Sequence, residues 1–204
     1  MTQSLDRRWI LTSLPAAIAA LFGARALAST TEACSVTESD IEGPFYLAGA
    51  PRRTVLADAK EKGKRLRIGG TVFGSDCKTP LAGALLDIWH ADAEGNYHDA
   101  KEQYRLRGQI LTDARGRYEF ETIRPGNYKL DEGWRPAHIH FTVSSPGHEP
   151  VTTQLYFRGD PYLAPHDACG DECHSGDPHR IIPLAADGSR LAGRFDLVLK
   201  SARV

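Results

Sequence analysis

The sequence predicts an all-β protein, an antiparallel β-sandwich with long irregular loops and little helix. Three observations predict it. No long stretch repeats its apolar residues at the spacing of a helix face. Short runs rich in β-branched and aromatic residues recur instead. Between those runs stand clusters of Gly, Pro and Asp, the residues that tight turns require.

In chain order the runs are LRIGGTVF (66–73), ALLDIWH (84–90), QILTD (109–113), RYEFET (117–122), AHIHFTVS (137–144), TTQLYF (152–157) and FDLVLK (195–200), and each is expected to form a strand. Turn signals at 76–80, 92–95, 113–116, 125–126 and 146–147 separate them. Two of the turns echo one another: DAEGNY (92–97) and DARGRY (113–118) share the form Asp-Ala-x-Gly-x-Tyr. Each reads as a tight turn, with Gly where φ is positive, feeding a strand that opens on tyrosine. Two hairpins of like geometry account for the echo without a duplicated domain. Tyr118 shares a face with Phe120 and reads as core, whereas Tyr97 is free for a functional role.

Three segments fall outside the strands. Residues 1–28 read as an export signal: a basic start, an apolar run from Ile10 to Phe22 and Ala26-Leu27-Ala28 as a cleavage site. Arg7-Arg8 before Trp9-Ile10-Leu11 fits the twin-arginine route, so the expectation is a periplasmic or extracellular protein. Residues 29–57 read as an irregular N-terminal arm, ahead of a β-sandwich domain over 58–204. Residues 160–177 read as a long loop, of the kind that is functional or stapled.

Setting 1–28 aside leaves 176 residues and moves the formal net charge from −1 to −3, through loss of Arg7, Arg8, Arg25 and Asp6. That length suits one domain with a sizeable core. The charge gives no reason to expect nucleic acid or an acidic membrane surface as partner, and no second apolar run approaches membrane-spanning length. An exported chain meets an oxidising compartment, so Cys34, Cys77, Cys169 and Cys173 are expected in two disulfides. Three pairings are allowed; Cys34–Cys77 with Cys169–Cys173 is the working choice. HDACGDECHSGDPHR (166–180) also invites a zinc reading, yet its spacings match no standard zinc site, and a disulfide-stapled loop is expected there.

The chemistry concentrates in WRPAHIHF (134–141). On a strand His138 and His140 point one way while Ile139 and Phe141 point the other. Two neutral imidazoles over an apolar backing suit a shared metal ion. A cupin would want a glutamate a few residues downstream, but the next acid is Glu149.

GPFY (43–46), DIWHADAEGNY (87–97), RGQILTDARGRYEF (107–120), TIRPGNY (122–128), WRPAHIHF and TTQLYFRGDP (152–161) together resemble the intradiol ring-cleavage dioxygenases, above all the protocatechuate dioxygenase catalytic domain and its single-domain relatives. The likeness runs in order over nearly the whole chain beyond the signal. It implies one mononuclear non-haem Fe(III) held by Tyr97, Tyr128, His138 and His140. It implies Arg135 as the active-site arginine, Gln154 as the active-site glutamine and Tyr128 as the tyrosinate that leaves when substrate arrives. A hard ferric ion favours anionic oxygen and tolerates imidazole, which fits that set.

The implied reaction takes a catecholic substrate and O2, opening the ring between its two hydroxyl-bearing carbons to a cis,cis-muconate-type diacid. A non-catalytic binder of iron or a catecholate on the same fold is the alternative, though it would not need Arg135 and Gln154. Related domains pair with a homologous subunit, so a homo-oligomer or a homologous partner is compatible with the resemblance. The stretches from Tyr97 to Tyr128 and from Tyr128 to His138 are short beside better-known members, which leaves less material to enclose a substrate.

Overall fold

The computed structural model describes residues 34–99 and 103–203, so the expected export signal lies outside the described residues. Twelve strands are found among the described residues: β1 (Arg65–Phe73), β2 (Leu85–Trp89), β3 (Arg107–Leu111), β4 (Arg117–Ile123), β5 (Tyr128–Leu130), β6 (Gly133–Arg135), β7 (His138–Ser144), β8 (Val151–Phe157), β9 (Ile181–Ile182), β10 (Ala185–Asp187), β11 (Arg190–Arg194) and β12 (Leu197–Val198). Helical structure there is limited to two 3-10 turns, Gly170–Glu172 and Pro178–Arg180.

The strands form two five-stranded sheets and a separate hairpin, β5–β6. In the first sheet β4 runs antiparallel to β1 along one edge. The other edge of β1 is shared, with β11 parallel to its first half and β12 parallel to its end. The chain steps between those partners across Gly70, where an added Cβ would stand 1.8 Å from the carbonyl oxygen of Phe195. Only glycine allows so close a crossing. The second sheet has the order β3-β2-β7-β8-β9. Pairing is mostly antiparallel, and β1–β11, β1–β12 and β8–β9 run parallel.

The expected strands are present, with shifted ends. Only Leu197–Val198 of 195–200 pairs as a strand, because Phe195 lies at the crossing. Strands β5, β6, β9, β10 and β11 were not anticipated. Four are only two or three residues long, and GWR and RLAGR carry glycine in a strand, so their local signal is weak.

Between the sheets lies the core. Leu66, Ile68 and Val72 of β1 and Tyr118 and Phe120 of β4 meet Leu86 and Ile88 of β2, Ile139, Phe141 and Val143 of β7, and Leu155 and Phe157 of β8. Burying a side chain such as Phe141 contributes about 1.5–3 kcal/mol. The alternation that turns those residues inward turns Asp87, Trp89, His138, His140, Gln154 and Tyr156 to the outer face of the second sheet. That face is buried as well, and polar groups taken from water need partners.

The arm supplies some of them. Residues 34–57 form no strand, yet they are laced to both sheets: Thr37 N to Val198 O, Asp40 N to Thr152 O, Arg53 N to Gln109 O and Leu56 N to Glu121 O, at 2.8–3.1 Å. The arm is thus one unit with the sheets. Cys34–Cys77 ties its start to the turn after β1, and Cys169–Cys173 staples the loop after β8, with Cα separations of 5.8 and 5.6 Å. The Cys169–Cys173 bond makes the 166–180 segment a stapled loop. None of their helices is long and apolar enough to cross a membrane.

Candidate metal centre

His138 and His140 stand on β7, the middle strand of the second sheet, hydrogen-bonded along both edges to β2 and β8. Register places Trp89 on one side of His140 and Gln154 on the other, and Tyr156 beside His138. Trp89 lies flat on His140, with ring centres 4.7 Å apart and planes 5° from parallel. His138 is oriented by its other nitrogen, since Nδ1–H donates to the carbonyl of Pro136 at 2.6 Å and leaves the Nε2 lone pair to face the site.

Tyr97 arrives from the 92–97 turn. Asp92 Oδ1 accepts from the backbone N–H of Glu94 and Asn96, each at 2.9 Å, and Gly95 takes a φ of +86°. A Cβ at Gly95 would lie 2.1 Å from the carbonyl oxygen of Asn127, so glycine lets this turn rest on the chain just before Tyr128. The consequence is that Tyr97 and Tyr128 meet edge to face, with ring centres 5.7 Å apart. Tyr128 opens β5 directly opposite Arg135, the last residue of β6, so the short hairpin delivers both to one place.

The oxygen of Tyr97 lies 3.0 Å from Nε2 of His138 and 3.0 Å from Nε2 of His140. With His138 Nε2 bare, the phenol proton serves that nitrogen, and His140 must then present Nε2–H to the oxygen. That leaves Nδ1 of His140 buried with no partner among the described residues. One phenol oxygen and two imidazole nitrogens converging so closely is better served by a cation than by hydrogen bonds. Burial also holds both imidazoles neutral: it pulls His138 down to about 3 and His140 well below the ordinary histidine value. Burial pushes the phenols of Tyr97 and Tyr128 upward, a trend that a bound cation reverses. Tyr128 is only half-buried, and among the described residues its hydroxyl takes no hydrogen bond. The donor set fits a hard cation that accepts oxygen and imidazole nitrogen.

Arg135 and Gln154 lie next to these groups and touch each other. Arg135 Nη2 donates to Gln154 Oε1 at 3.0 Å and to Tyr156 Oη at 3.3 Å. Its Nε donates to Asp167 Oδ1 at 3.1 Å, an ion pair with both side chains almost wholly buried. Gln154 Nε2 donates to the carbonyl of Ile41, and Tyr156 Oη lies 2.8 Å from Asp40 Oδ2, which Arg180 neutralises. Phe45, of the GPFY motif, stacks on Tyr97 at 4.3 Å.

The six residues singled out from sequence therefore share one location. Tyr118 is core, its hydroxyl donating to Phe195 O. His90 is buried between Ala91 O and Thr122 Oγ1, and His98 pairs with Asp92. Ile110 belongs to the sandwich core, and Trp134 is exposed against Tyr162. Tyr156 was overlooked although it follows Gln154 by two and must share its face. Asp167 and Asp40 had no sequence signal, because loops bring them in. Clefts of about 730 and 420 Å³ open elsewhere, over the first sheet and beside Lys60 and Arg105, and neither is lined by these six residues. Convergent chemistry marks this site better than volume does.

Comparison with known proteins agrees with this geometry. Residues 41–199 match the family model described as Dioxygenase. A chlorocatechol 1,2-dioxygenase of Rhodococcus opacus is 36% identical over 172 residues, which are 72% of this chain and 65% of the relative. Catechol 1,2-dioxygenase 2 of Acinetobacter lwoffii is 44% identical over 147 residues, 62% of this chain and 53% of that one. The chain thus spans between half and two thirds of the length of these relatives. The solved dioxygenase domain of a dioxygenase carbohydrate-binding protein fusion from Streptomyces sp. SirexAA-E superposes with a TM-score of 0.71 at 35% identity, covering 82% of this chain and 100% of that domain. With a matching model over most of its length and the same sandwich, this chain belongs to the intradiol ring-cleavage dioxygenase family.

Proposed function

We propose that this protein is an Fe(III)-dependent intradiol dioxygenase, cleaving a catecholic ring with O2 to a cis,cis-muconate-type diacid. The observation that carries the reading is the 3.0 Å approach of Tyr97 Oη to Nε2 of both His138 and His140, with Arg135 and Gln154 alongside. Tyr97, Tyr128, His138 and His140 would hold the ion. Bound there, Fe(III) supplies a hard Lewis acid that takes up catecholate oxygens and makes the ring reactive toward O2.

The protein's own groups do the rest. His138 and His140 stay neutral and so keep their lone pairs at neutral pH. Tyr97, clamped by Phe45 and both imidazoles, is the ligand that stays. Tyr128, half-buried on a three-residue strand, is the one able to swing out and accept a catechol hydroxyl proton. Arg135 faces developing negative charge on the ring, and Gln154 orients substrate through hydrogen bonds. Export by the twin-arginine route remains part of the proposal and would place the substrate outside the cytoplasm.

The test is the visible spectrum of iron-loaded protein before and after anaerobic catechol. A tyrosinate-to-iron band that shifts with catechol and decays once air is admitted supports the enzyme. A band that shifts and then persists in air favours a binder without turnover, and protein left colourless by ferric iron removes the tyrosinate site.

A further inference from the structure

Arg135 is a cation buried on the outer face of the second sheet, 3% exposed. A buried guanidinium needs a counter-charge, and its direction is set by whichever group provides it. Gln154 and Tyr156, its partners on β8, are neutral. Asp167 is the acid that pairs with it, through Oδ1 to Nε at 3.1 Å and Oδ2 to Nη2 at 3.4 Å. A two-point contact of this kind fixes the plane of the guanidinium as well as its charge.

Asp167 does not stand on a sheet. It lies in the loop after β8, and four contacts hold it. Its Oδ1 also accepts from Cys169 N at 3.0 Å, and its carbonyl accepts from Gly170 N at 2.9 Å. Ala168 N donates to Trp134 O at 3.1 Å, anchoring the loop beside Arg135 itself. Cys169, whose N–H caps Asp167, is bonded to Cys173, which is 3% exposed. The staple closes the turn that Asp167 begins.

We propose that Asp167 is the positioning residue of Arg135, held against it by the Cys169–Cys173 staple. This rests on the reading of the site as an intradiol dioxygenase, where the direction of the arginine decides which charge it stabilises. Asp167 acts through Arg135 and touches no reacting atom.

The test compares iron-loaded wild type with Asp167→Asn, Asp167→Glu and a Cys169→Ser/Cys173→Ser double variant, by crystal structure, by iron content and by kcat and KM for catechol. Asp167→Asn is expected to bind iron and to show the tyrosinate band, while Arg135 leaves Gln154 and kcat falls roughly 10- to 100-fold, the range for residues that orient an active-site group. Asp167→Glu should recover part of that loss. The cysteine variant should lower kcat less, in the same direction, with the loop displaced. Unchanged kcat per bound iron with Arg135 still on Gln154 in Asp167→Asn would overturn the proposal, whatever the loss of thermal stability. The same result in the cysteine variant alone would overturn the part assigned to the staple. Should wild type show no ring cleavage, the functional reading fails, and the position of Arg135 in the two crystal structures still decides the assignment to Asp167.

Discussion

Two turns of this molecule are built alike and serve different ends. In both 92–97 and 113–118 an aspartate caps the turn: Asp92 Oδ1 accepts from the N–H of Glu94 and Asn96, and Asp113 Oδ1 from those of Arg115 and Arg117, all at 2.8–2.9 Å. In both the glycine is left-handed, at +86° for Gly95 and +70° for Gly116. Each then presents a tyrosine. Tyr118 turns into the core and spends its hydroxyl on Phe195 O at 2.6 Å, whereas Tyr97 turns to the outer face and meets two histidines. The difference lies in the floor beneath each turn. Gly116 rests on the backbone of Val72 and Leu81 and Gly95 on that of Asn127 and Tyr128, so only the 92–97 turn is docked on another tyrosine. Local sequence makes the turn, and what the turn packs against gives its tyrosine a function.

Exchanging each tyrosine for phenylalanine should break the likeness most strongly. Tyr97→Phe removes an anionic donor, and ring cleavage and iron retention should fall by more than about 100-fold, beyond the usual loss for a group that merely orients a ligand. Iron analysis and the visible band of the purified variant check this. Next in size is a methyl group under each turn. Gly95→Ala pairs a left-handed φ with a backbone oxygen at 2.1 Å and should cost about 3–5 kcal/mol, with loss of the tyrosinate band. Gly116→Ala, with nearest atoms at 2.8–2.9 Å, should cost about 2 kcal/mol and leave the band intact. Urea unfolding measures both.

His90 stitches the two regions together, from Ala91 O beside the first turn to Thr122 Oγ1 on the strand that follows the second. Burial pulls its pKa down to about 4. The unfolded chain takes up a proton near pH 6.5 that the folded state refuses, so its share of stability is intact above 6.5 and is lost as pH falls toward 4. Over that window the loss is about 3 kcal/mol. The unfolding free energy from urea titration should fall between pH 7.5 and 4.5 by about that much less in His90→Gln than in wild type. The smallest effect is expected from Tyr118→Phe. Leaving Phe195 O without its donor should cost about 1–2 kcal/mol, with activity per bound iron unchanged.

Most of the site was legible because short motifs carry the family resemblance that implies Tyr97, Tyr128, Arg135 and Gln154, while the two histidines are also marked by local pattern. His138 and His140 are two apart on a β-run, so period-2 alternation alone places them on one face. Asp-Ala-x-Gly-x-Tyr announces a turn that ends on Tyr97. The long strands were legible for the same reason, whereas β9 to β11 were not: RLAGR becomes a strand only because β1 offers it a free edge.

The sequence by itself determined the all-β class, the main strands, the turn chemistry and the shared face of His138 and His140, since alternation and turn propensity act over a few residues; the two tyrosines, Arg135 and Gln154 entered through the family resemblance. Tertiary structure alone decided which of the three allowed cysteine pairings forms. It also decided that an irregular arm covers the outer face of the second sheet and that Asp167, 32 residues beyond Arg135, becomes its counter-ion. Those outcomes depend on burial. A charge or a polar face taken out of water must be satisfied by whatever the fold brings within hydrogen-bond reach, and no local pattern records which segment that will be.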